Sequence, residues 1–381
     1  MARIEPFTID IPQAEIDDLK CRLARTRWPE RETVDDWSQG APLAKVKALC
    51  AYWRDHYDWR RIEARLNALG QYRTELDGLP IHFMHIRSPE PDALPLLMTH
   101  GWPGSVIEFL KVIGPLTDPV AHGGKASNAF HLVLPSLPGY GFSGKPTDTG
   151  WTVQRIARAW ALLMERLGYE RYVAQGGDWG AAVTTALGAS APKGLAAIHL
   201  NMVVAFPGRS ESDCTDEDKA RQDHYLRYRK KEMGYYIQQM TRPQTLGYGL
   251  ADSPSGQAAW IYEKFHAWTD AGREPETMFS LDEMLDNISL YWLTGTATSS
   301  SRLYWESGRD FKSVEIEIPT GCSLFPKDII RPSRRWAERS FRNIVHWNEL
   351  DRGGHFAAFE QPDLFAEEVR ACFRQFRRAC G

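Results

Sequence analysis

The chain has 381 residues, more than one hydrophobic core usually organises, which implies a large domain carrying a sizeable insertion, or two domains. A composition of 43% hydrophobic and 25% charged residues, with 30 Gly and 23 Pro, excludes a disordered or collagen-like chain. Forty-six basic against 49 acidic residues leave a net charge of −3, which offers no footprint for nucleic acid or an anionic membrane surface; the expected partner is a small molecule.

Helical patterns run over 13–25 and 43–69, with an aromatic-rich join around Trp28 and Trp37, so residues 1–78 read as an N-terminal helical extension. The texture then changes. Short apolar runs at 81–86, 94–99, 131–135, 172–174 and 195–200 alternate with helical segments at 105–110, 153–167 and 181–187. Continuous apolar strands of this kind belong to a parallel sheet buried on both faces, so 79–203 is the first part of an α/β core. From 204 to 306 the chain is charged, aromatic and helical, with helices expected at 211–232 and 256–268; this is the candidate lid insertion, its charge run a solvated helical face. Strand texture returns at 314–325 and 342–347 and an amphipathic helix closes the chain at 362–377, so 307–381 is the second part of the core.

The opening Met1-Ala2-Arg3-Ile4-Glu5-Pro6-Phe7 has no basic stretch leading into an apolar one, and nowhere do about eighteen apolar residues run together. A soluble, unexported, cytoplasmic protein is expected. The six cysteines (Cys21, Cys50, Cys214, Cys322, Cys372, Cys380) have no C-x-x-C spacing and read as reduced thiols. His82 and His85 lack a further ligand at metal spacing and read as strand residues, so no metal is expected.

The chemistry concentrates at Gly176-Gly177-Asp178-Trp179-Gly180, between the strand ending near Ala174 and a helix of small residues. This is a G-x-nucleophile-x-G elbow with Asp in place of Ser. The tight turn needs small neighbours because its central residue sits in a strained backbone at a helix N-terminus, and the expectation is an ionised, exposed Asp178. Taken alone, the pentapeptide reads sooner as an Asp N-cap in a Gly-rich turn. The partners in chain order favour the elbow: Asp328 follows the strand ending at Phe325, and His355 follows the strand 342–347, both where an open α/β sheet puts its site. Asp310, Glu349 and Asp351 are the passed-over acids, and Asn201 cannot ionise. The loop His100-Gly101-Trp102-Pro103-Gly104-Ser105, after the strand 94–99, is positioned to place the Trp102 amide beside that of Trp179 as an oxyanion hole.

These motifs together resemble the epoxide hydrolases of the α/β-hydrolase fold, specifically the microsomal-type branch with an N-terminal extension. The resemblance covers nearly the whole chain. It includes Pro6-Phe7 through Trp28-Pro29, the 100–105 loop, the Asp178 elbow, Thr241-Arg242-Pro243, Tyr291-Trp292 through Tyr304, and Arg352-Gly353-Gly354-His355-Phe356-Ala357-Ala358-Phe359-Glu360. It implies Asp178 as nucleophile, Asp328 as the acid of the pair, His355 as base, and Tyr235 and Tyr304 as lid tyrosines donating to the epoxide oxygen from phenols of ordinary pKa, near 10. A lipophilic epoxide and water are the implied reactants, without cofactor. The membrane-anchoring segment of the animal microsomal enzymes has no counterpart here, from which a soluble bacterial relative is expected. The same nucleophile also serves a haloalkane dehalogenase, where indoles of Trp102 and Trp179 would hold halide; a non-catalytic binding protein on the scaffold is the third reading. Phe206, Tyr225, Tyr228, Tyr236, Trp260, Phe265, Trp268 and Trp292 are the insertion's aromatics, some expected to pack and some to line the pocket. A homo-oligomer is compatible with the sequence, as are detoxifying, catabolic and biosynthetic roles.

Overall fold

The computed structural model describes residues 3–206, 215–272, 274–309 and 314–377. A nine-stranded sheet forms the centre, with strands β1 Glu5–Pro6, β2 Gln71–Leu76, β3 Leu79–Ile86, β4 Leu94–Thr99, β5 Phe130–Pro135, β6 Tyr172–Gly176, β7 Leu195–Leu200, β8 Thr320–Leu324 and β9 Ile344–Glu349. Their order is β1-β2-β3-β5-β4-β6-β7-β8-β9, antiparallel from β1 to β5 and parallel from there on. Strands β5 and β6 are buried along their whole length, as continuous apolar runs require when helices cover both faces. Burying each such Leu or Val contributes roughly 1.5–3 kcal/mol. The helix Val153–Arg166 covers one face through Val153, Ile156, Ala157, Trp160, Leu163 and Met164, a stripe at helical spacing.

The first 78 residues are less uniformly helical than their pattern suggests. β2 lies within them and pairs with β3 through Leu76-Asp77-Gly78-Leu79, where Asp77 and Gly78 take φ of 49° and 79°. Two consecutive left-handed residues make the Asp-Gly hairpin turn. β2 escapes an apolar-run reading because it alternates buried and accessible residues at the antiparallel side of the sheet. The expected helix over 43–69 is two helices, Leu43–Asp55 and Trp59–Asn67, because the Asp58 side chain caps the second by accepting from the Arg60 amide. At 314–325 only Thr320–Leu324 is strand; Pro319 precedes it without an N–H to give, and Ile316 keeps one isolated bridge to Phe341.

Between β7 and β8 the described chain is helical: Asp216–Lys231, Gly234–Thr241, Pro243–Asp252, Pro254–Trp268, Leu281–Leu293 and Ala297–Ser307. The start expected at 211, and with it Cys214, lies outside the described residues, as do Asp310 and Cys380. Cys21, Cys50, Cys322 and Cys372 are free thiols. His82 and His85 are β3 residues, His82 bonded to Ser136 and Gln71 and His85 to Tyr169.

The helix Leu281–Leu293 ties the N-terminal segment to the loop after β4. On one side Trp53 Nε1 donates to Ser289 Oγ at 2.9 Å, Tyr57 Oη donates to Asp286 Oδ1 at 2.8 Å, and Arg61 pairs with the same oxygen at 2.6 Å. On the other, Asn287 Nδ2 and Tyr291 Oη donate to the carbonyls of Pro103 and Gly104 at 2.7 and 2.8 Å. Burial pushes the Asp286 carboxyl up to about 6, against the hydrogen bonds of Arg61 and Tyr57 that favour its charge. Asp286 is therefore ionised above pH 6 and depends there on Arg61, itself partly exposed and screened. Arg61→Met is expected to lower stability by about 1–2 kcal/mol at pH 8. Losing Arg61 raises the Asp286 pKa further, so the deficit should shrink as pH falls from 8 toward 6, where the carboxyl of the variant has already taken up its proton. Urea unfolding at the two pH values checks this; equal deficits at both would contradict it.

Candidate active site

β4 and β6 are hydrogen-bonded neighbours whose register ends at Thr99 opposite Gly176, so the loops that follow leave the sheet side by side. The chain runs from β4 outward to β5 and then back across to β6, which makes this the point where the sheet's connections change direction and a crevice opens. Asp178 sits at the tip of the β6 loop with φ +51°, directly before the helix Trp179–Ser190. A non-glycine residue held there stores roughly 1–3 kcal/mol of strain. The neighbouring glycines are sterically dictated. A Cβ on Gly180 would stand 1.8 Å from the Thr99 carbonyl oxygen, and one on Gly101 would stand 2.2 Å from Asp178 Oδ1.

The partners arrive from the far strands. An isolated bridge pairs Lys327 with Gly354 beyond the ends of β8 and β9, which sets Asp328 next to His355. His355 Nδ1 lies 2.8 Å from Asp328 Oδ1, and its Nε2 lies 3.2 Å from Asp178 Oδ2. The Ile329 amide also donates to Asp328 Oδ1 at 2.8 Å. The Trp102 amide donates to Asp178 Oδ1 at 2.8 Å, while Trp179 opens the helix directly after Asp178. Asp351 lies away from the site with its side chain 82% exposed, and Glu349 is bound to Arg221. Asn201 accepts from Gln175 and borders the cavity at Asp178.

The expectation of an exposed nucleophile is corrected: Asp178 is only 9% accessible. Aromatic side chains cover it. Tyr235 stacks on the Trp102 ring at 5.1 Å between centroids, Tyr304 stands edge-on to Trp179 at 4.8 Å, and Trp268 packs on His355 at 5.0 Å. The buried Tyr304 hydroxyl lies beside the Trp179 side chain, whereas Tyr235 Oη lies 2.9 Å from Tyr228 Oη. The phenols are also not of ordinary pKa. Burial first, then for Tyr304 the charge of Asp178 and for Tyr235 the neighbouring Tyr228, hold both well above 10.

Charge is unevenly shared in the site. Burial alone would depress the His355 pKa, but hydrogen bonds to Asp178 and Asp328, and their charges, raise it to about 10. With Asp178 ionised, His355 is an imidazolium at neutral pH. A small cavity of about 20 Å³ bounded by Thr99, Glu108, Asp178, Asn201 and His355 has room for one water, which needs about 10–15 Å³. Burial pushes the Glu108 carboxyl there up to about 8, with His355 opposing and Asp178 reinforcing the shift. Glu108 carries no signal of its own in the sequence, because Ser105-Val106-Ile107-Glu108 reads as an ordinary helix start. Glu360, the last residue of the 352–360 motif, accepts from the Phe356 and Asp270 amides beside the His355 loop. Of the insertion's aromatics, Tyr228, Trp260 and Trp268 line a groove of about 1970 Å³ leading to Tyr235, whereas Phe265 is fully buried against Phe279 and Phe356.

Comparisons with known proteins give the family and the fold. Residues 4–109 match the family model described as epoxide hydrolase N terminus, and residues 95–221 match that of the alpha/beta hydrolase fold. The chain is 61% identical over 376 residues to a provisionally named epoxide hydrolase of Stigmatella aurantiaca, covering 98% of this chain and 86% of the relative. It is 36% identical to epoxide hydrolase 1 of Sus scrofa, over 96% of this chain and 88% of the relative. The crystal structure of juvenile hormone epoxide hydrolase from the silkworm Bombyx mori superposes with a TM-score of 0.90 at 30% identity, over 99% of this chain and 96% of that one.

The shared charge is open to direct test. Asp178→Asn removes one of the two carboxylates that hold His355 protonated, so its pKa should fall from about 10. The drop expected for a lost neighbouring charge is about one unit or more, read from the ring resonances of His355 across a pH titration. An unchanged value would contradict the geometry.

Proposed function

The chain belongs to the epoxide hydrolase family of the α/β-hydrolase fold, and from that premise we propose that it opens lipophilic epoxides to vicinal diols through an ester on Asp178. The observation that carries this reading is the Asp178 carboxylate itself. Oδ1 is held by the Trp102 amide, Oδ2 faces His355, and the rings of Tyr235 and Tyr304 pack on Trp102 and Trp179, the residues that flank the carboxylate. With Oδ1 engaged, Oδ2 is the oxygen left to attack a ring carbon. The breaking C–O bond sends its electron pair to the ring oxygen, which takes a proton from Tyr235 or Tyr304. Their raised pKa values do not forbid this, because the alkoxide that would otherwise leave is about as basic as hydroxide.

Esterification changes the histidine. Asp178 loses its charge, the support for the imidazolium falls to Asp328 alone, and His355 gives up its proton to the phenolate side of the site through solvent. Neutral His355 then takes a proton from a water in the small cavity, the hydroxide adds to Asp178 Cγ, and the oxyanion forms at Oδ1 beneath the Trp102 amide, with Trp179 as the second donor. Collapse releases the diol and restores the carboxylate and imidazolium. Asp328 orients His355 throughout. On this reading the helices between β7 and β8 are the lid, and the groove beside Trp260 and Trp268 admits the substrate.

Family membership favours the epoxide reading over a dehalogenase. Among the described residues no helix is long and apolar enough to cross a membrane. With free thiols at the described cysteines, we read the enzyme as cytoplasmic and acting on epoxide delivered from water.

Two measurements test the mechanism. His355→Gln is expected to accumulate an adduct whose intact mass exceeds the protein's by that of the substrate; turnover without any adduct would count against the ester. Tyr304→Phe and Tyr235→Phe should each slow ring opening, by roughly 10- to 100-fold, and the pair should nearly abolish it. A double variant with unimpaired turnover of epoxide would remove the phenols from the mechanism.

A further inference from the structure

The helix Asp216–Lys231 is strongly charged, and among its residues only Asp218 and Tyr228 are buried. Asp218 is engaged at the helix start, in a capping box with Thr215 and an ion pair with Arg335. Tyr228 has no such local duty. Its ring lies near Tyr225, a contact a phenylalanine would serve equally, and its hydroxyl points to Tyr235 Oη at 2.9 Å. A buried hydroxyl without a partner would cost about 1–3 kcal/mol, so the pair is satisfied only as a pair.

The two phenols are thus in different situations. Tyr304 has the Trp179 side chain beside its hydroxyl, while Tyr235 has a second phenol at hydrogen-bond distance. A phenol carries one proton and accepts through its lone pairs. If Tyr235 donates to Tyr228, it has nothing left to give the substrate. If Tyr228 donates to Tyr235, the Tyr235 proton is free to turn toward the nucleophile and whatever lies above it.

We propose that Tyr228 is a positioning residue for ring opening, donating to Tyr235 Oη so that the Tyr235 proton is aimed at the epoxide oxygen. The proposal rests on Tyr235 acting as an epoxide donor. As Asp178 Oδ2 bonds to the ring carbon and the ring C–O bond breaks, the Tyr235 proton passes to the ring oxygen and leaves a phenolate. Tyr228 keeps its own proton, and its hydrogen bond becomes charge-assisted and roughly twice as strong. Without it, the negative charge would be left on a buried oxygen. Tyr228 also lines the groove beside Tyr235, the side from which water restores the lost proton. No further reactant is consumed.

Tyr228→Phe keeps the ring and removes only the hydroxyl. Single-turnover stopped-flow, following tryptophan fluorescence as the alkyl-enzyme forms and decays, separates binding, ring opening and ester hydrolysis. Tyr228→Phe is expected to slow ring opening roughly 10- to 100-fold while substrate dissociation and ester hydrolysis stay at wild-type values. In a Tyr235→Phe background the second replacement should add nothing to the defect. Wild-type ring opening in Tyr228→Phe, with Tyr235→Phe still slow, would overturn the role of Tyr228 and leave Tyr235 as donor. Fast ring opening in Tyr235→Phe would instead remove the donor assignment, and the proposal with it. Equal losses in binding, ring opening and hydrolysis would mark Tyr228 as packing alone and also overturn it.

Discussion

A carboxylate held out of water between an amide and an imidazolium is the constraint on which the rest of this molecule depends. Asp178 is nearly buried, yet it must be charged to attack. An isolated buried carboxylate would protonate instead. The Trp102 amide and His355 supply the compensation at 2.8 and 3.2 Å, and Asp328 in turn compensates His355 at 2.8 Å. On the proposed mechanism the arrangement is self-limiting: the ion pair with Asp178 keeps the histidine from acting as a base until that carboxylate is esterified, so the order of the two half-reactions follows from electrostatics.

Holding that geometry requires more than the four strand ends that carry it. The loop bearing Trp102 is fastened through two of its carbonyls to Asn287 and Tyr291. The helix that carries those residues is itself fastened by Trp53, Tyr57 and Arg61 of the N-terminal segment. The first part of the chain, remote in sequence from every reacting group, therefore has a physical line to the oxyanion donor. An amide displaced by a few tenths of an ångström changes the strength of a short hydrogen bond steeply, so this buttress bears on catalysis as well as on stability.

Asp178, Asp328 and His355 were legible in the sequence because each requirement is local: glycines around a strained turn, and acidic and basic residues at the ends of successive strands. The sheet core was legible for a similar reason, since doubly buried strands such as β5 spell themselves out as apolar runs. β2 was not, because a strand alternating buried and accessible residues, with Arg73 and Glu75 among them, resembles the end of a polar helix. The Asp77-Gly78 turn was the available signal. Glu108 and Tyr228 were illegible for another reason: what matters about them is the group they meet across the fold, and no spacing encodes that. The burial of Asp178 is of the same kind, since the rings that cover it come from the loop after β4 and from three separate helices.

The central claim is that esterifying Asp178 is what turns His355 from an acid into a base. The most direct measurement is the rate at which preformed alkyl-enzyme hydrolyses, followed against pH in a single turnover. In the free site His355 stands at about 10. With Asp178 esterified one carboxylate is gone, so the hydrolysis rate should rise with pH and level off through a pKa well below that value. A rate that continues to climb to pH 10, as though the histidine still faced two carboxylates, would contradict the account.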